Sequence, residues 1–320
     1  EKMLYDNALL TVTYLEAFQY TKNPFYRMAA EQILKYIRRE MTSPEGGFYS
    51  AQDADSSGVE GKYYVFTPEE INKVLDKKDS SFFCDYFDIT KEGNFEGSSI
   101  PNLIKAPELK SDNERVIHLC EKIYQFRQDR NHLHKDDKIL TSWNAFMIMA
   151  YAKAARILQE EEYLDIARHA VEFINTKLMD RNGCPYVRYR DGSADYPGLL
   201  DDYAFYCMTL LEMYDSTFEL DYLKQAIDLA DKMIEKFWDD KNGGFFLNSE
   251  DSEPLIYRPK EVYDGAIPSG NSVAGYVLER LSHLTANPHF TEYSDRQLRF
   301  LAGQAKDYPS GHSFSLIAFF

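Results

Sequence analysis

The chain has little of what marks several common protein classes. Its 320 residues include only four cysteines and seven histidines, and acidic residues outnumber basic ones so far that the formal net charge is −16. No apolar run reaches the roughly 18 residues that a membrane-spanning helix needs. The shortage of positive charge disfavours nucleic acids and anionic membrane surfaces, because both are negatively charged. We therefore expect a neutral or cationic ligand, no nucleic-acid partner and no membrane partner.

The cysteines are also too scattered to suggest a zinc or redox pair. Cys84, Cys120, Cys184 and Cys207 lack the close spacing that such sites use. This usage is typical of free thiols in a reducing compartment, so we predict a cytoplasmic location.

Motifs for cofactors and metals are missing as well. The chain has no glycine-rich phosphate loop, no His-Glu-x-x-His helix and no Gly-x-Ser-x-Gly turn. Asp53–Gly58 matches the first half of a calcium loop, but the twelfth position is Tyr64, where a bidentate glutamate is required. A solvated turn is favoured there, and a loose calcium site using Glu60 stays open. We predict no cofactor and no metal.

What the chain does contain is a repeat. In each copy a polar turn opens a nearly all-apolar helix, and a helix with one apolar face follows after a short break. The first helices begin at Asp6-Asn7-Ala8, Trp143-Asn144-Ala145, Asp202-Tyr203-Ala204 and Gly270-Asn271-Ser272. The step from Ala145 to Ala204 equals the step from Tyr163 to Tyr222. A constant offset in both helices indicates a duplicated supersecondary unit.

The two helices of each copy predict two layers. Residues 145–152 are apolar on every side, which requires burial all round, whereas the helix after Tyr163 carries a single apolar stripe. An inner ring of buried helices inside an outer ring predicts an all-α fold, an (α/α)6 toroid of helical hairpins. Extended pieces at 63–66 and 187–189 predict short β-ribbons in the rim loops.

The regular repeat predicts one toroid domain over residues 1–320. The count of units is incomplete, because Pro309–Ser313 echoes Pro268–Ser272 and starts a new inner helix at His312, eight residues before the last one. The chain also opens on Glu1 rather than methionine. We therefore expect a truncated copy, with flanking hairpins outside this sequence.

Six blocks in one order carry a family resemblance. They are Glu1–Ala8, Gln52–Ser56, Glu60–Val65, Leu140–Ala145, Asp201–Phe205 and Asp264–Ser272. They resemble the spermatogenesis-associated, thioredoxin-domain-containing proteins. The resemblance implies a six-hairpin, glycosidase-like toroid similar to N-acylglucosamine 2-epimerases. It also implies a preceding thioredoxin-like domain, which is absent from this sequence and with which the toroid could associate.

Carboxylates on the predicted rim are the chemical candidates. Glycoside hydrolysis needs one protonated and one ionised carboxyl on either side of the scissile bond. We predict Asp53, Asp202 and Asp264 as the catalytic groups. Helix capping also explains an aspartate at Asp202 or Asp6, and turn formation also explains Asp264. The predicted substrate-binding residues are Asp6, Asp55, Glu60, Tyr64, Trp143, Asn144, Asp201, Asn271 and His312.

The leading hypothesis is a carbohydrate-active or carbohydrate-binding protein, a hydrolase of a neutral or amino sugar if it is an enzyme. A sugar 2-epimerase is the alternative enzyme, for which His312 is the one suitably placed histidine. A non-catalytic interaction scaffold is the alternative from another class. Its cavity would be filled by side chains, or its carboxylates would point away from the cavity.

Overall fold

The computed structural model describes residues 1–105, 114–252 and 256–319, and this part of the chain is mainly helical. Its helices are α1 (Leu4–Thr21), α2 (Pro24–Tyr36), α3 (Pro68–Val74), α4 (Lys77–Tyr86), α5 (Glu114–Arg130), α6 (Thr141–Leu158), α7 (Glu161–Lys177), α8 (Leu200–Thr217), α9 (Leu220–Phe237), α10 (Gly270–Thr285) and α11 (Pro288–Ala305). Its strands are β1 (Lys2–Met3), β2 (Ala51–Gln52), β3 (Asp55–Ser56), β4 (Val59–Glu60), β5 (Lys135–Asp136), β6 (Ile139–Leu140), β7 (Tyr186–Arg190) and β8 (Ser193–Pro197). None of the helices described is both long and apolar enough to cross a bilayer.

The chain divides into two compact units, of which the smaller comprises Glu1–Lys2 and Ala51–Asp136. Helices α3, α4 and α5 surround a small apolar core there. Thr67 and Glu70 form the capping box that opens α3, with each side chain accepting the other residue's backbone N–H. The Arg130 guanidinium donates to Glu70 and to three backbone carbonyls, so it ties the end of α5 to the loop before α3.

The larger unit comprises Met3–Ser50 and Asp137–Phe320 and contains the repeat. Its described residues form four hairpins, α1–α2, α6–α7, α8–α9 and α10–α11. The first helices form an inner layer in which α1 packs on α6, α6 on α8 and α8 on α10, and each second helix packs on its own partner. Residues 145–152 are all buried. The predicted inner layer is therefore confirmed.

The same type of two-residue turn joins the two helices in each of these hairpins. Each inner helix ends on a left-handed residue, and the next residue is the extended N-cap of the outer helix. The left-handed residues are Lys22, Gln159, Phe218 and Ala286, with φ between 51° and 59°. None is glycine, although this conformation costs other residues about 1–2 kcal/mol. The four turns share this geometry despite its strain, and it determines the direction in which each outer helix folds back.

Ion pairs link neighbouring inner helices towards their C-terminal ends. Glu212 is buried on α8 and accepts from Arg156 of α6 at 2.6 Å. The two flanking links are Lys153 to Glu16 and Arg280 to Asp215. A charged contact therefore joins each inner helix to the next one.

The loops that follow the outer helices form short β-bridges near the starts of the inner helices. A three-stranded sheet of β6, β7 and β8 precedes α8, which confirms the ribbon predicted at 187–189. The ribbon predicted at 63–66 is wrong. Gly61 has φ 71° and its carbonyl accepts the Tyr64 N–H at 2.8 Å, so a tight turn forms there and only Phe66 makes a bridge.

The helix predicted to start at His312 takes another form. Pro309–His312 and Ser315–Phe319 are two short 3₁₀ turns, and the second packs on α10. Its position beside α10 is the one expected for the next inner element.

Candidate functional site

The two aspartates at the start of α8 bind the starts of two different helices. The Asp202 carboxylate accepts the Ser142 N–H of α6 at 3.1 Å and the Leu199 N–H at 2.9 Å. Asp202 is buried, and this burial raises the pKa of its carboxyl to about 7 against the opposing effect of the amide bonds. Asp202 thus joins α8 to the preceding inner helix.

Asp201 points to the following inner helix. Its carboxyl accepts the backbone N–H of Gly270, the first residue of α10. A Cβ atom on Gly270 would lie 2.3 Å from Asp201 Oδ1, so the contact needs glycine. Burial, reinforced by the negative charge of Glu261, raises the pKa of Asp201 to about 6. Unlike Asp202, Asp201 keeps part of its surface in solvent.

Asp264 holds another pair of segments together. Its Oδ1 accepts the Ser269 N–H at 2.9 Å, at the start of α10. Its Oδ2 accepts the N–H groups of Phe314 and Ser315 at 2.8 and 3.3 Å. These bonds are those of a carboxylate that anchors helix ends.

Asn144 and Asn271 make the same contact in different hairpins. Phe48 N donates to Asn144 Oδ1 at 2.7 Å, and Asn144 Nδ2 donates back to Phe48 O at 2.9 Å. Asn271 pairs with both backbone groups of Phe245 at 2.8 and 2.9 Å. Each asparagine therefore ties the start of its helix to the glycine-aromatic loop of the preceding hairpin.

The copy at α8 has Tyr203 in place of this asparagine. The loop residue at the corresponding bridge is Pro185, which pairs with Met179 as Phe48 pairs with Thr42. Proline has no N–H to donate, so an asparagine carboxamide could not form both bonds there. The tyrosine instead packs edge-on against Phe237, with ring centroids 5.0 Å apart.

His312 has a defined tautomer. Its Nδ1 lies 2.7 Å from the carbonyl oxygen of Val262 and the side chain is buried. Because a carbonyl only accepts, Nδ1 carries the proton and Nε2 of the neutral ring keeps its lone pair.

The segment 261–264 contacts several of the residues described above. Glu261 raises the pKa of Asp201, the Val262 carbonyl bonds to His312, and Asp264 anchors the start of α10. Glu261 is not among the residues predicted from the sequence, although it lies just before the Asp264 block. The remaining predicted residues of the larger unit are less enclosed. The Trp143 ring meets Tyr5 edge-on at 4.8 Å, and Asp6 is exposed in the first turn of α1.

Four predicted site residues lie in the smaller unit. Asp53 Oδ1 accepts the Asp55 N–H at 3.2 Å, and Asp55 pairs with Glu60 across a small hairpin. The ring of Tyr64 lies 4.6 Å from the Lys2 ammonium and 5.7 Å from the Arg127 guanidinium. Across the described ranges, no group of three or more His, Cys, Asp and Glu side chains is placed to hold a metal ion.

The chain is similar to proteins of two kinds. Spermatogenesis-associated protein 20 of Homo sapiens is 31% identical over 351 residues, which cover 93% of this chain and 45% of the relative. The chain therefore spans about half the length of that protein. No protein-family model matches the chain.

Two solved structures share the fold. The cellobiose 2-epimerase of Bacillus thermoamylovorans B4167 has a TM-score of 0.60 at 11% identity, over 94% of this chain and 61% of the other. The cellobiose 2-epimerase of Spirochaeta thermophila DSM 6192 has a TM-score of 0.59 at 14% identity, over 95% and 60%. The (α/α)6 toroid predicted from the repeat is thereby confirmed. The resemblance of the six sequence blocks is confirmed as well, because this chain is homologous to spermatogenesis-associated protein 20 over 93% of its length.

Proposed function

We propose that the larger unit binds a neutral or amino sugar at the starts of its inner helices and hydrolyses a glycosidic bond there. The observation that carries this proposal is the Asp201 carboxyl, which is partly exposed, influenced by Glu261 and has a pKa of about 6. A carboxyl with this pKa keeps a useful protonated fraction near neutral pH. Asp201 would protonate the leaving-group oxygen, and Glu261 would act as the second carboxyl.

In the reaction, the bond between the anomeric carbon and the leaving oxygen breaks as Asp201 gives its proton to that oxygen. Water supplies the new bond to the anomeric carbon and the proton that restores Asp201. The separation of the two carboxyls in the complex decides whether Glu261 activates this water directly or first attacks the sugar itself.

The other predicted residues take supporting roles in this proposal. Asp201 suits the role of the acid better than Asp202, because Asp202 is buried and Asp201 is partly exposed. It also suits that role better than Asp264, which accepts three backbone N–H groups. A catalytic role for Asp53 stays a prediction. Trp143, half-buried beside Tyr5, would offer a stacking face to the sugar.

Two further observations support a sugar ligand. The net charge of −16 favours a neutral or cationic molecule over an anionic one. The two epimerase structures share the fold, and the name of each refers to a disaccharide. Fold alone does not determine function, so the assignment depends on the carboxyl pair.

The test uses the full 320-residue chain with cellobiose as a neutral and chitobiose as an amino disaccharide. We expect monosaccharide release by the wild-type protein and a loss of about 10²–10⁴-fold in kcat for Asp201→Asn. The control is Asp228→Asn, an exposed carboxyl on the outer helix α9, which should leave kcat unchanged. Equal turnover by Asp201→Asn and wild type would remove the assignment.

A sugar 2-epimerase is the second candidate, favoured by the lone pair on Nε2 of His312. An epimerase removes and returns the proton beside the carbonyl carbon, so it exchanges that proton with solvent. Incubation of cellobiose in deuterated water would therefore place deuterium at C2 without releasing glucose. Neither deuterium uptake nor hydrolysis with any sugar would favour a binding role, such as association with a thioredoxin-like domain.

A further inference from the structure

Two tyrosines form an exposed aromatic pair near the candidate site. The rings of Tyr263 and Tyr308 are stacked with an interplanar angle of 10° and centroids 6.4 Å apart. The two residues are 60% and 55% exposed. Large aromatic side chains are usually buried away from water. A stacked pair that stays exposed is therefore available for contact with a ligand.

The backbone holds this pair in place. A Cβ atom on Gly311 would lie 2.5 Å from Cδ1 of Tyr308 and 2.8 Å from Cε2 of Tyr263, so the glycine backbone packs against both rings. Gly311 N donates to Tyr308 O at 3.1 Å, and Gly311 O accepts the Asp264 N–H at 2.8 Å. One backbone residue therefore packs against both rings and limits their movement, so the two rings form one surface.

The pair also lies next to the proposed reacting groups in the chain. Tyr263 is two residues from Glu261, within the segment 261–264. Gly311 is followed by His312, whose imidazole is bonded to Val262 of the same segment. The pair therefore belongs to the same two segments that carry Glu261 and His312.

We propose that Tyr263 and Tyr308 form an aromatic subsite for one uncharged pyranose ring of a glycan whose reacting linkage lies at Asp201. This inference rests on the proposed function. One face of a pyranose ring consists of C–H bonds, and these bonds favour the negative face of an aromatic ring. A rigid aromatic surface binds such a face at little cost in side-chain entropy.

The test compares di- and tetrasaccharides of the cello-, chito- and manno-series by titration calorimetry with the full chain. We expect the wild-type protein to bind the preferred tetrasaccharide about tenfold more tightly than its disaccharide. Tyr263→Ala and Tyr308→Ala should lose this difference while keeping the disaccharide affinity. Tyr263→Phe and Tyr308→Phe should retain it, because stacking does not need the hydroxyl group.

Gly311→Ala is a second probe, because the added methyl group would displace both rings without replacing either tyrosine. It should also reduce the preference for the longer sugar. The control is Tyr20→Ala, because Tyr20 is 91% exposed at the C-terminal end of α1. Unfolding curves for each variant identify any change caused by misfolding.

The outcomes separate the two proposals. If the alanine variants keep the tenfold preference, the subsite is overturned and the proposed function stands. If the wild-type protein binds none of the sugars, both proposals fail. Loss of turnover in Asp201→Asn with an intact length preference supports both, because the two sets of residues then act on different parts of one glycan.

Discussion

The carboxamide of Asn144 pairs with both backbone groups of Phe48, a residue 96 positions earlier in the chain. Its Nδ2 also donates to Leu140 O at 2.9 Å, so one buried side chain closes three hydrogen bonds. This contact joins the start of α6 to the loop that follows α2, and it recurs between Asn271 and Phe245.

We expect Asn144→Ala to lower the free energy of unfolding by about 2–3 kcal/mol, because the N–H and C=O of Phe48 would be buried without partners. Urea denaturation measures the change. Asn182→Ala, at an exposed turn where only the backbone N–H is bonded, is the matched control and should change stability by less than about 0.5 kcal/mol. Equal effects of the two substitutions would contradict a special role for Asn144.

A second prediction concerns Asp202 and the pH dependence of stability. Its folded pKa of about 7 lies above the unfolded value of about 4, so between these values the folded state binds the proton more strongly. The free energy of unfolding should therefore fall as pH rises from about 4 to 7. Asp202→Asn removes this titration, so its stability should depend less on pH over that window, even though the amide loses one N–H contact. Parallel curves for the two proteins in urea titrations at several pH values would show that Asp202 does not titrate this way.

A third prediction concerns the acid of the proposed reaction. Because Asp201 must be protonated to donate, kcat should fall as pH rises through about 6. The negative charge of Glu261 contributes to the raised pKa, so a neutral residue there should move this decline to lower pH. Glu261→Gln is predicted to move the alkaline limb of the pH–rate profile to lower pH and to reduce kcat. The profile is measured with the disaccharide that the wild-type protein hydrolyses. A limb that stays in place would exclude Asp201 as the titrating group.

A fourth prediction uses the strained turn between α10 and α11. Ala286 is exposed and has φ 51°, a conformation that glycine adopts without strain. Ala286→Gly should raise the free energy of unfolding by about 1 kcal/mol, the strain removed minus the entropy that glycine adds to the unfolded chain. Ala302→Gly, at an exposed position inside α11, should lower it by about 1 kcal/mol. Thermal denaturation of both variants gives opposite shifts if the argument holds.

Sequence periodicity was sufficient to predict the layers. The apolar run at 145–152 requires burial on all sides, and the constant offset between copies places each outer helix. The repeat also aligned Asn144 with Asn271. It did not indicate that both pair with a phenylalanine backbone, because that contact depends on where a distant loop folds.

The different contacts of Asp201 and Asp202 could not be predicted from their adjacent positions in the sequence either. Successive residues on a helix point about 100° apart, so the two carboxyls face different neighbours. Asp202 reaches α6 and Asp201 reaches α10, and which of them stays open to solvent follows from packing. The tyrosine pair could not be predicted for a similar reason, because Tyr263 and Tyr308 are 45 positions apart in the sequence.

The side-by-side starts of α6, α8 and α10 have an electrostatic consequence. Each helix N-terminus is equivalent to roughly half a positive charge, so three of them place about one and a half positive charges at this end of the layer. Asp201, Asp202 and Asp264 all accept backbone N–H groups at these starts, so their carboxyls lie at the positive ends of the dipoles. Each proton that Asp201 or Asp202 gains removes one full negative charge there, so the local potential changes in whole steps close to neutral pH.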